Sequence, residues 1–322
     1  MDPFEDVVSA MGVESSLYVR MHFSAPWGVT FDTGYQARLV MVARGGCWMT
    51  AEGMEPILLK ASDCLIIKAG TEFSMQDERS RPLLACSEIF STIDGRTVRH
   101  GGSGSVVEMV SARLSFDPLA GEPLMALLPN LVHVRLGDAE AQLLQMTLHL
   151  IGMETSEDGL GAGVVIGRLT DVLFVQTVRS WFSADTERAT GWIAGLKNRQ
   201  LASAIKAMHN DLRRPWTVDR LAREAGLSRS GFASAFRSIT GETPLGYLTN
   251  WRIYRAKALL REGRSVAEAA TSVGYDSETA FSRAFKRLEG VAPGAWRRDL
   301  QVRKTHLSTA MGRPGQLASA DT

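Results

Sequence analysis

The chain has 322 residues, which is enough for two domains that each bury a core of their own. It contains no run of 18 apolar residues, no signal-peptide pattern in its acidic start and only three cysteines without paired spacing. These features exclude a membrane-spanning protein and a secreted disulfide scaffold, and they predict a cytoplasmic location. The net charge of +1 divides unevenly, with −10 in residues 1–196 and +11 in residues 197–304.

Short apolar stretches alternate with turn residues between residues 15 and 114, and this spacing is typical of a β-sandwich or barrel. A glycine-rich segment, residues 96–105, is predicted to be a loop. The candidate strands are residues 16–23, 27–32, 37–43, 47–51, 57–60, 64–68, 83–90 and 106–114.

Four large side chains in this region have two interpretations, as plain core or as the lining of a pocket for a small organic effector. They are Trp27, Trp48, Phe73 and Met75.

The three cysteines, Cys47, Cys64 and Cys86, also have two interpretations. They fall in predicted strands with apolar neighbours, where free cysteines behave as small buried hydrophobes. A redox switch would instead need an exposed thiolate with a positive neighbour.

From residue 138 to residue 182 the apolar residues follow a helical period, broken at 158–163. The two predicted helices carry more apolar surface than one hairpin face buries against itself, which predicts packing on the strands and also homodimerisation. We predict a sensor domain with this hairpin at residues 1–185, a linker at 186–196, a second domain at 197–300 and a disordered tail at 301–322.

The second domain contains one pattern twice. Thr217 and Ser265 are 48 residues apart, as are Gly226 and Gly274, and two phenylalanine pairs follow at a separation of 49. Thr or Ser at a helix N-cap, Gly at its end and a second capped helix predict a helix-turn-helix in each copy. The high positive charge of this domain favours a phosphate-backbone partner.

In each second helix the phenylalanines lie four residues apart and so share one face, which predicts a buried side formed by Phe232, Phe236, Ile239, Phe281, Phe285 and Leu288. The opposite faces predict nine DNA-contacting residues. Arg283 can pair with guanine, while Arg237 and Lys286 are placed for phosphate. The nine are Arg229, Ser230, Ser234, Arg237, Glu278, Thr279, Ser282, Arg283 and Lys286.

Residues 197–300 resemble the DNA-binding region of the AraC/XylS transcription regulators. The resemblance lies in Ala235-Phe-Arg237, Ala284-Phe-Lys286, Val273-Gly-Tyr-Asp-Ser277 and Gly290-Val-Ala-Pro-Gly-Ala-Trp-Arg297. It implies seven helices, of which a long one over residues 245–261 joins the two motifs.

The N-terminal region is similar to the cupin-type sensor domain of one branch of that family. The similarity lies in Ala25-Pro-Trp-Gly28, Arg44-Gly-Gly-Cys-Trp48, Ser62-Asp-Cys-Leu-Ile-Ile-Lys-Ala-Gly-Thr-Glu-Phe73 and Glu122-Pro-Leu-Met-Ala-Leu-Leu-Pro129. It implies a small β-barrel. The His-x-His pair of metal-dependent cupins is absent, and Phe73 stands at the position of their later histidine, so we expect no metal and no other cofactor.

Together these observations predict an α+β multidomain chain: a cupin-like β-barrel with a helical hairpin, then an all-α domain with two helix-turn-helix motifs. We therefore predict that the protein is a sequence-specific transcription activator that responds to a small-molecule or oxidant effector. Its predicted partners are double-stranded DNA, RNA polymerase and a second copy of the chain. The alternative is a cupin-type enzyme that carries an accessory DNA-binding module, although no catalytic constellation is present.

Overall fold

The computed structural model describes residues 3–34, 36–90, 97–135, 141–157, 159–184 and 189–299. The chain divides into two compact units, the N-terminal unit (Phe4–Ala189) and the C-terminal unit, which begins at Thr190. The first is rich in β-strands and the second is helical. In the described residues, no helix combines the length and apolar character that a membrane span requires.

Two sheets form the N-terminal unit. One has the strand order β11-β6-β3-β10-β1-β9 and the other has the order β5-β4-β7-β2-β8. The strands are β1 (Glu14–Ser24), β2 (Gly28–Asp32), β3 (Ala37–Arg44), β4 (Gly46–Ala51), β5 (Ile57–Lys60), β6 (Cys64–Ile67), β7 (Glu72–Gln76), β8 (Leu84–Ala85), β9 (Thr97–Gly101), β10 (Val106–Ser115) and β11 (Leu131–Val134).

The helices of this unit lie at its start, between strands and at its end. They are α1 (Pro3–Met11), α2 (Cys86–Phe90), α3 (Pro118–Met125), α4 (Ala141–Glu157) and α5 (Ala162–Ala184). The last two form the predicted hairpin, and α5 packs on strands β1, β6 and β11. Where α5 contacts β6, the thiol of Cys64 lies 3.3 Å from the hydroxyl of Thr177.

Strand periodicity explains the core of the N-terminal unit. In β4 the side chains alternate, with Cys47, Met49 and Ala51 buried and Trp48 on the other face. All four residues of β6 are buried instead, because the two sheets pack on one face and α5 covers the other. The continuous apolar sequence of β6 therefore reflects its position between the second sheet and the helix α5.

The structure corrects two sequence predictions here. Residues 83–90, predicted as one strand, form the two-residue strand β8 followed by the helix α2. In α2, Ile89 is buried and Phe90 packs edge-on to Phe31, so tertiary packing outweighs the apolar run that suggested a strand. The predicted loop 96–105 contains β9, which pairs in parallel with β1.

The C-terminal unit has seven helices in its described residues, as the family resemblance implied. They are α6 (Gly191–Lys197), α7 (Arg199–Asn210), α8 (Val218–Glu224), α9 (Arg229–Thr240), α10 (Pro244–Arg261), α11 (Val266–Ser272) and α12 (Glu278–Glu289). The long helix α10 joins the pair α8–α9 to the pair α11–α12.

Helix α6 corrects the predicted linker. Trp192 and Ile193 are buried, and α6 packs against α7 and α9, so residues 191–196 belong to the C-terminal unit. Polar neighbours made this stretch resemble a linker, but two large apolar side chains provide the packing. Residues 186–188 of the predicted linker and the predicted tail, residues 301–322, lie outside the described residues.

The two helix pairs are built alike because the repeat places the same punctuation in each. Thr217 accepts a hydrogen bond from the Arg220 N–H, and Ser265 forms a reciprocal capping box with Glu268. Gly226 and Gly274 end α8 and α11 with φ of +66° and +86°, a conformation that favours glycine. These local signals determine where each helix begins and ends.

Each helix pair closes over an aromatic cluster. Phe232 and Phe236 pack 5.5 Å apart, and Phe236 meets Tyr247 of α10. Phe281 and Phe285 lie 5.6 Å apart in a cluster with Ile253, Leu260 and Val273. Helix α10 therefore contributes to both cores.

Next to the first cluster, the ring of His209 lies 2.7 Å from the hydroxyl of Tyr247. Burial, helped by the nearby Arg255 guanidinium, lowers the pKa of His209 to about 3. The imidazole is therefore neutral at neutral pH and serves the core of the unit as a packed polar group.

Candidate nucleic-acid interface

Helix α9 exposes the side chains that the sequence predicts. Ser228 caps its first turn by accepting from the Gly231 N–H, and Gly241 ends it with φ of +79°. Because Phe232 and Phe236 face the core, the opposite face is exposed. The exposed predicted residues are Arg229, Ser230, Ser234 and Arg237.

Helix α12 repeats this arrangement. Ser277 caps it through the Ala280 N–H, and Gly290 ends it with φ of +76°. Phe281 and Phe285 are fully buried, whereas Ser282 is half-buried. The exposed predicted residues are Glu278, Thr279, Arg283 and Lys286.

Two details of these helices differ from the sequence prediction. Leu288, predicted to be inside, is 43% exposed, because the last turn of α12 extends past the cluster that buries Phe285. Arg287, which the sequence analysis did not select, is also exposed. It lies four residues after Arg283, and this i, i+4 spacing was the available signal.

The exposed cations of α12 are available for a partner. Within the described residues, Arg283 and Lys286 form no ion pair, whereas Arg229 of α9 lies 3.8 Å from Asp219, and both of these side chains are largely exposed. An exposed pair of this kind contributes little to stability and yields readily to a phosphate. Both second helices therefore present a basic, hydroxyl-bearing face.

The four residues predicted to line an effector pocket do not come together. Trp27, Phe73 and Met75 lie in the buried cluster between the sheets. Trp48 lies on the opposite face of β4, where the Arg79 guanidinium stacks 3.9 Å from its ring. Strand alternation separates Trp48 from the others, so three residues form core and the fourth covers an outer face.

A cavity of about 630 Å³ lies elsewhere in the N-terminal unit. Phe31, in its wall, stacks on Phe73 at 5.0 Å. Next to the cavity, the largely buried Arg38 donates to the Asp32 carbonyl, and its Nε has no hydrogen-bond partner in the described part of the chain. The lining residues are Thr30, Phe31, Asp32, Thr33, Gly34, Gln36, Glu72, Ala85, Cys86, Ser87 and Arg113.

The three cysteines occupy different environments. Cys47 and Cys64 are buried, and burial raises the pKa of each thiol to about 12. Both are therefore protonated and shielded from reagents. Cys86 is half-buried and lines the cavity. Nowhere in the described ranges do three or more His, Cys, Asp or Glu side chains meet in a way that could hold a metal ion.

Comparisons with known proteins assign both halves of the chain. A cupin family model matches residues 2–183, which is more than half of the chain, and a helix-turn-helix domain model matches residues 221–299. An AraC-like transcription regulator of Streptomyces lividans is 33% identical over 300 residues, which cover 92% of this chain and 98% of that protein. A second, from Streptomyces antibioticus, is 34% identical over 300 residues, with 92% and 99% covered.

A third relative matches a shorter stretch. The RCS-specific HTH-type transcriptional activator RclR of Escherichia coli is 35% identical over 139 residues, which cover 42% of this chain and 48% of that protein. These relatives are transcription regulators, which removes the support for the alternative of a cupin-type enzyme. With its cupin and helix-turn-helix domains and its full-length similarity to AraC-like proteins, the chain belongs to the AraC family of DNA-binding transcription regulators.

Proposed function

We propose that this protein is a sequence-specific transcription activator that reads DNA through two helix-turn-helix motifs, α8–α9 and α11–α12. The observation that carries the proposal is the matched exposure of α9 and α12. Each is capped at both ends, buries a phenylalanine pair and presents arginine with hydroxyl side chains on its free face. Such faces suit the major groove, where arginine can pair with guanine and hydroxyl groups meet base edges.

The two motifs have unequal roles in this proposal. Helix α12 supplies Arg283 for base reading, with Lys286 near its end for phosphate. Helix α9 offers Ser230 and Ser234 between Arg229 and Arg237, so its recognition depends more on the backbone and shape of the DNA. Because one chain carries both, it should read two major-groove segments about 34 Å apart.

The function is tested by selection from a random-sequence duplex library with the full-length protein. We expect a recovered site with two conserved segments about one helical turn apart, and activation when that site is placed upstream of a reporter promoter. Enrichment of no sequence at all, at a salt concentration that suppresses nonspecific binding, would overturn the proposal. The relative RclR, a transcriptional activator, supports activation rather than repression. An activator would contact RNA polymerase, and we therefore propose that the protein acts in the cytoplasm.

We also propose that the two sheets of the N-terminal unit form a cupin barrel that senses a small organic effector. The cavity beside Phe31 and Arg113 is the candidate site, because it combines an apolar wall with several polar groups. Oxidation of Cys86 is the other form of sensing that the cavity allows. The two forms predict different behaviour of the thiols.

We expect N-ethylmaleimide to modify one thiol per folded chain, that of Cys86, because Cys47 and Cys64 are buried and protonated. Cys86→Ser should abolish labelling, whereas Cys64→Ser should leave it unchanged. If the effector is an organic ligand, hydrogen peroxide should leave DNA affinity unaltered in the natural chain. A peroxide response that disappears in Cys86→Ser would establish oxidant sensing instead.

We also propose that the chain forms a homodimer through the α4–α5 hairpin of the N-terminal unit. Several large apolar side chains of the α4–α5 hairpin are exposed, which is typical of an interface. They are Met146, Leu150, Met153, Leu160, Val164, Val165 and Val172.

We expect residues 190–322 to fold alone, to bind the selected DNA and to sediment as a monomer, while the full chain sediments as a dimer. Val164→Asp should shift the full chain to monomer, because it places a charge in the apolar patch. Gln142→Glu adds a charge at an exposed polar position of the same hairpin and should not. A dimeric fragment, or a full chain that remains monomeric, would contradict the assignment.

A further inference from the structure

The turns of the two helix pairs are equivalent in sequence but have different surroundings. At Gly226 an added Cβ would meet no atom of the described residues within 4 Å. At Gly274 it would lie 2.7 Å from the Cα of Arg213 and 2.8 Å from the carbonyl oxygens of Leu212 and Arg213. The α11–α12 turn therefore rests directly on the backbone that precedes α8.

One side chain of α10 holds the same two parts together. Arg252 Nε donates to the Leu212 carbonyl at 2.8 Å, and Nη2 donates to the Arg214 carbonyl at 3.0 Å. The Arg252 guanidinium also lies 5.7 Å from the ring centroid of Tyr275, which follows Gly274. The planar guanidinium suits this role, because it makes both hydrogen bonds while facing an aromatic ring.

The backbone that receives these contacts, residues 211–216, is itself ordered by local hydrogen bonds. The Asp211 carboxylate accepts from the N–H groups of Arg213 and Arg214 at 3.1 and 3.0 Å. The Trp216 indole donates to the Asp211 carbonyl at 2.8 Å, and Arg214 stacks 4.4 Å from that indole. Thr217, the cap of α8, follows immediately, so the segment transmits its position to the first motif.

We propose that this inter-motif clamp, formed by Arg252, Gly274 and residues 211–216, fixes the separation between α9 and α12 and thereby the base-pair spacing that the protein accepts. The inference rests on the proposed function. Helix α10 alone would leave a single connection between the motifs, with short turns at both ends. The clamp adds a second connection, so the two reading helices move as one body.

Spacing is a sensitive readout, because one inserted base pair shifts a DNA segment by about 3.4 Å and rotates it by about 35°. A rigid pair of helices cannot follow both changes. With duplexes that carry the selected site, we expect insertion of one base pair between the two segments to weaken binding of the natural full-length chain by about tenfold or more. Arg252→Gln should reduce this spacing penalty by about threefold or more.

Matched variants separate spacing control from simple loss of stability. Arg255→Gln removes the same charge from an exposed position of the same helix and should keep the natural penalty. Gly274→Ala and Gly226→Ala both place a side chain on a residue with left-handed backbone conformation. Only Gly274→Ala also displaces the clamp, so we expect only this variant to reduce the spacing penalty. Circular dichroism establishes which variants fold. If Arg252→Gln does not fold, Arg252→Lys takes its place in the experiment.

The outcomes are distinct. If Arg252→Gln and Gly274→Ala weaken binding to all spacings by the same factor, or keep the natural penalty, the clamp inference is wrong while the proposed function stands. If the natural chain selects no site, the proposed function fails and the clamp inference fails with it. A reduced penalty in both variants, with both controls unchanged, supports the clamp.

Discussion

Phe285→Ala is expected to lower the free energy of unfolding of the C-terminal unit by about 3–5 kcal/mol. The side chain is fully buried, and its ring lies 5.6 Å from that of Phe281 and 5.8 Å from that of Trp296. Truncation removes the apolar contacts and leaves a cavity among Ile253, Leu260 and their neighbours. A loss of this size is a large part of the stability of an ordinary domain.

The measurement is urea unfolding of residues 190–322, or of the full chain if the fragment does not fold alone. Leu288→Ala is the matched control, because it also removes a large apolar side chain from α12 but at a position that is 43% exposed. We expect it to change stability by about 0.5 kcal/mol. Equal losses in the two variants would mean that the α12 face is not packed as the structure shows.

Arg283→Ala is expected to weaken binding to the selected DNA by about 1–3 kcal/mol and to relax the preference at one base position. Arg283 is exposed on α12, two residues after buried Phe281 and two before buried Phe285, so it points away from the core. A bidentate arginine–guanine pair provides discrimination of this size, and alanine provides none. Competition binding with duplexes substituted at each position measures both effects.

Lys286→Ala is the comparison for this experiment. As a phosphate contact it should weaken binding to cognate and random duplexes alike and reduce the salt dependence of binding. Arg283 would lose its base-reading role if Arg283→Ala behaved in the same way. Thermal melting of both variants should match the natural chain, because neither side chain is buried.

The internal repeat made the C-terminal unit largely predictable from its sequence. Caps such as Thr217 and Ser228, and the end residues Gly226 and Gly241, act through hydrogen bonds within a few residues of themselves. The phenylalanine pairs follow the helical period, so the buried and exposed faces of α9 and α12 could be assigned with the exception of Leu288. In the N-terminal unit, strand alternation located most of the long strands by the same local logic.

The sequence predictions failed where position depends on a distant partner. The apolar run at residues 83–90 predicts a strand, but most of these residues form the helix α2, which packs against β2. The sequence does not distinguish Trp48 from Trp27 and Met75, but the pleat of β4 turns it to the other face, beside Arg79. The predicted linker contained Trp192 and Ile193, whose burial needs both α7, which follows directly in the chain, and α9, which begins only at Arg229.

The sequence by itself determined the ends of the helices in the two repeated pairs, the faces of α9 and α12, the charge division and the family, because each depends on short-range hydrogen bonding, on periodicity or on residue type. Tertiary structure alone decided the cavity beside Phe31, the different fates of Cys64 and Cys86, and the contact of Gly274 with Arg213. The two equivalent glycines show the reason. Gly226 and Gly274 have the same local role and the same sign of φ, but only the fold brings another stretch of backbone, 61 residues earlier in the chain, against one of them.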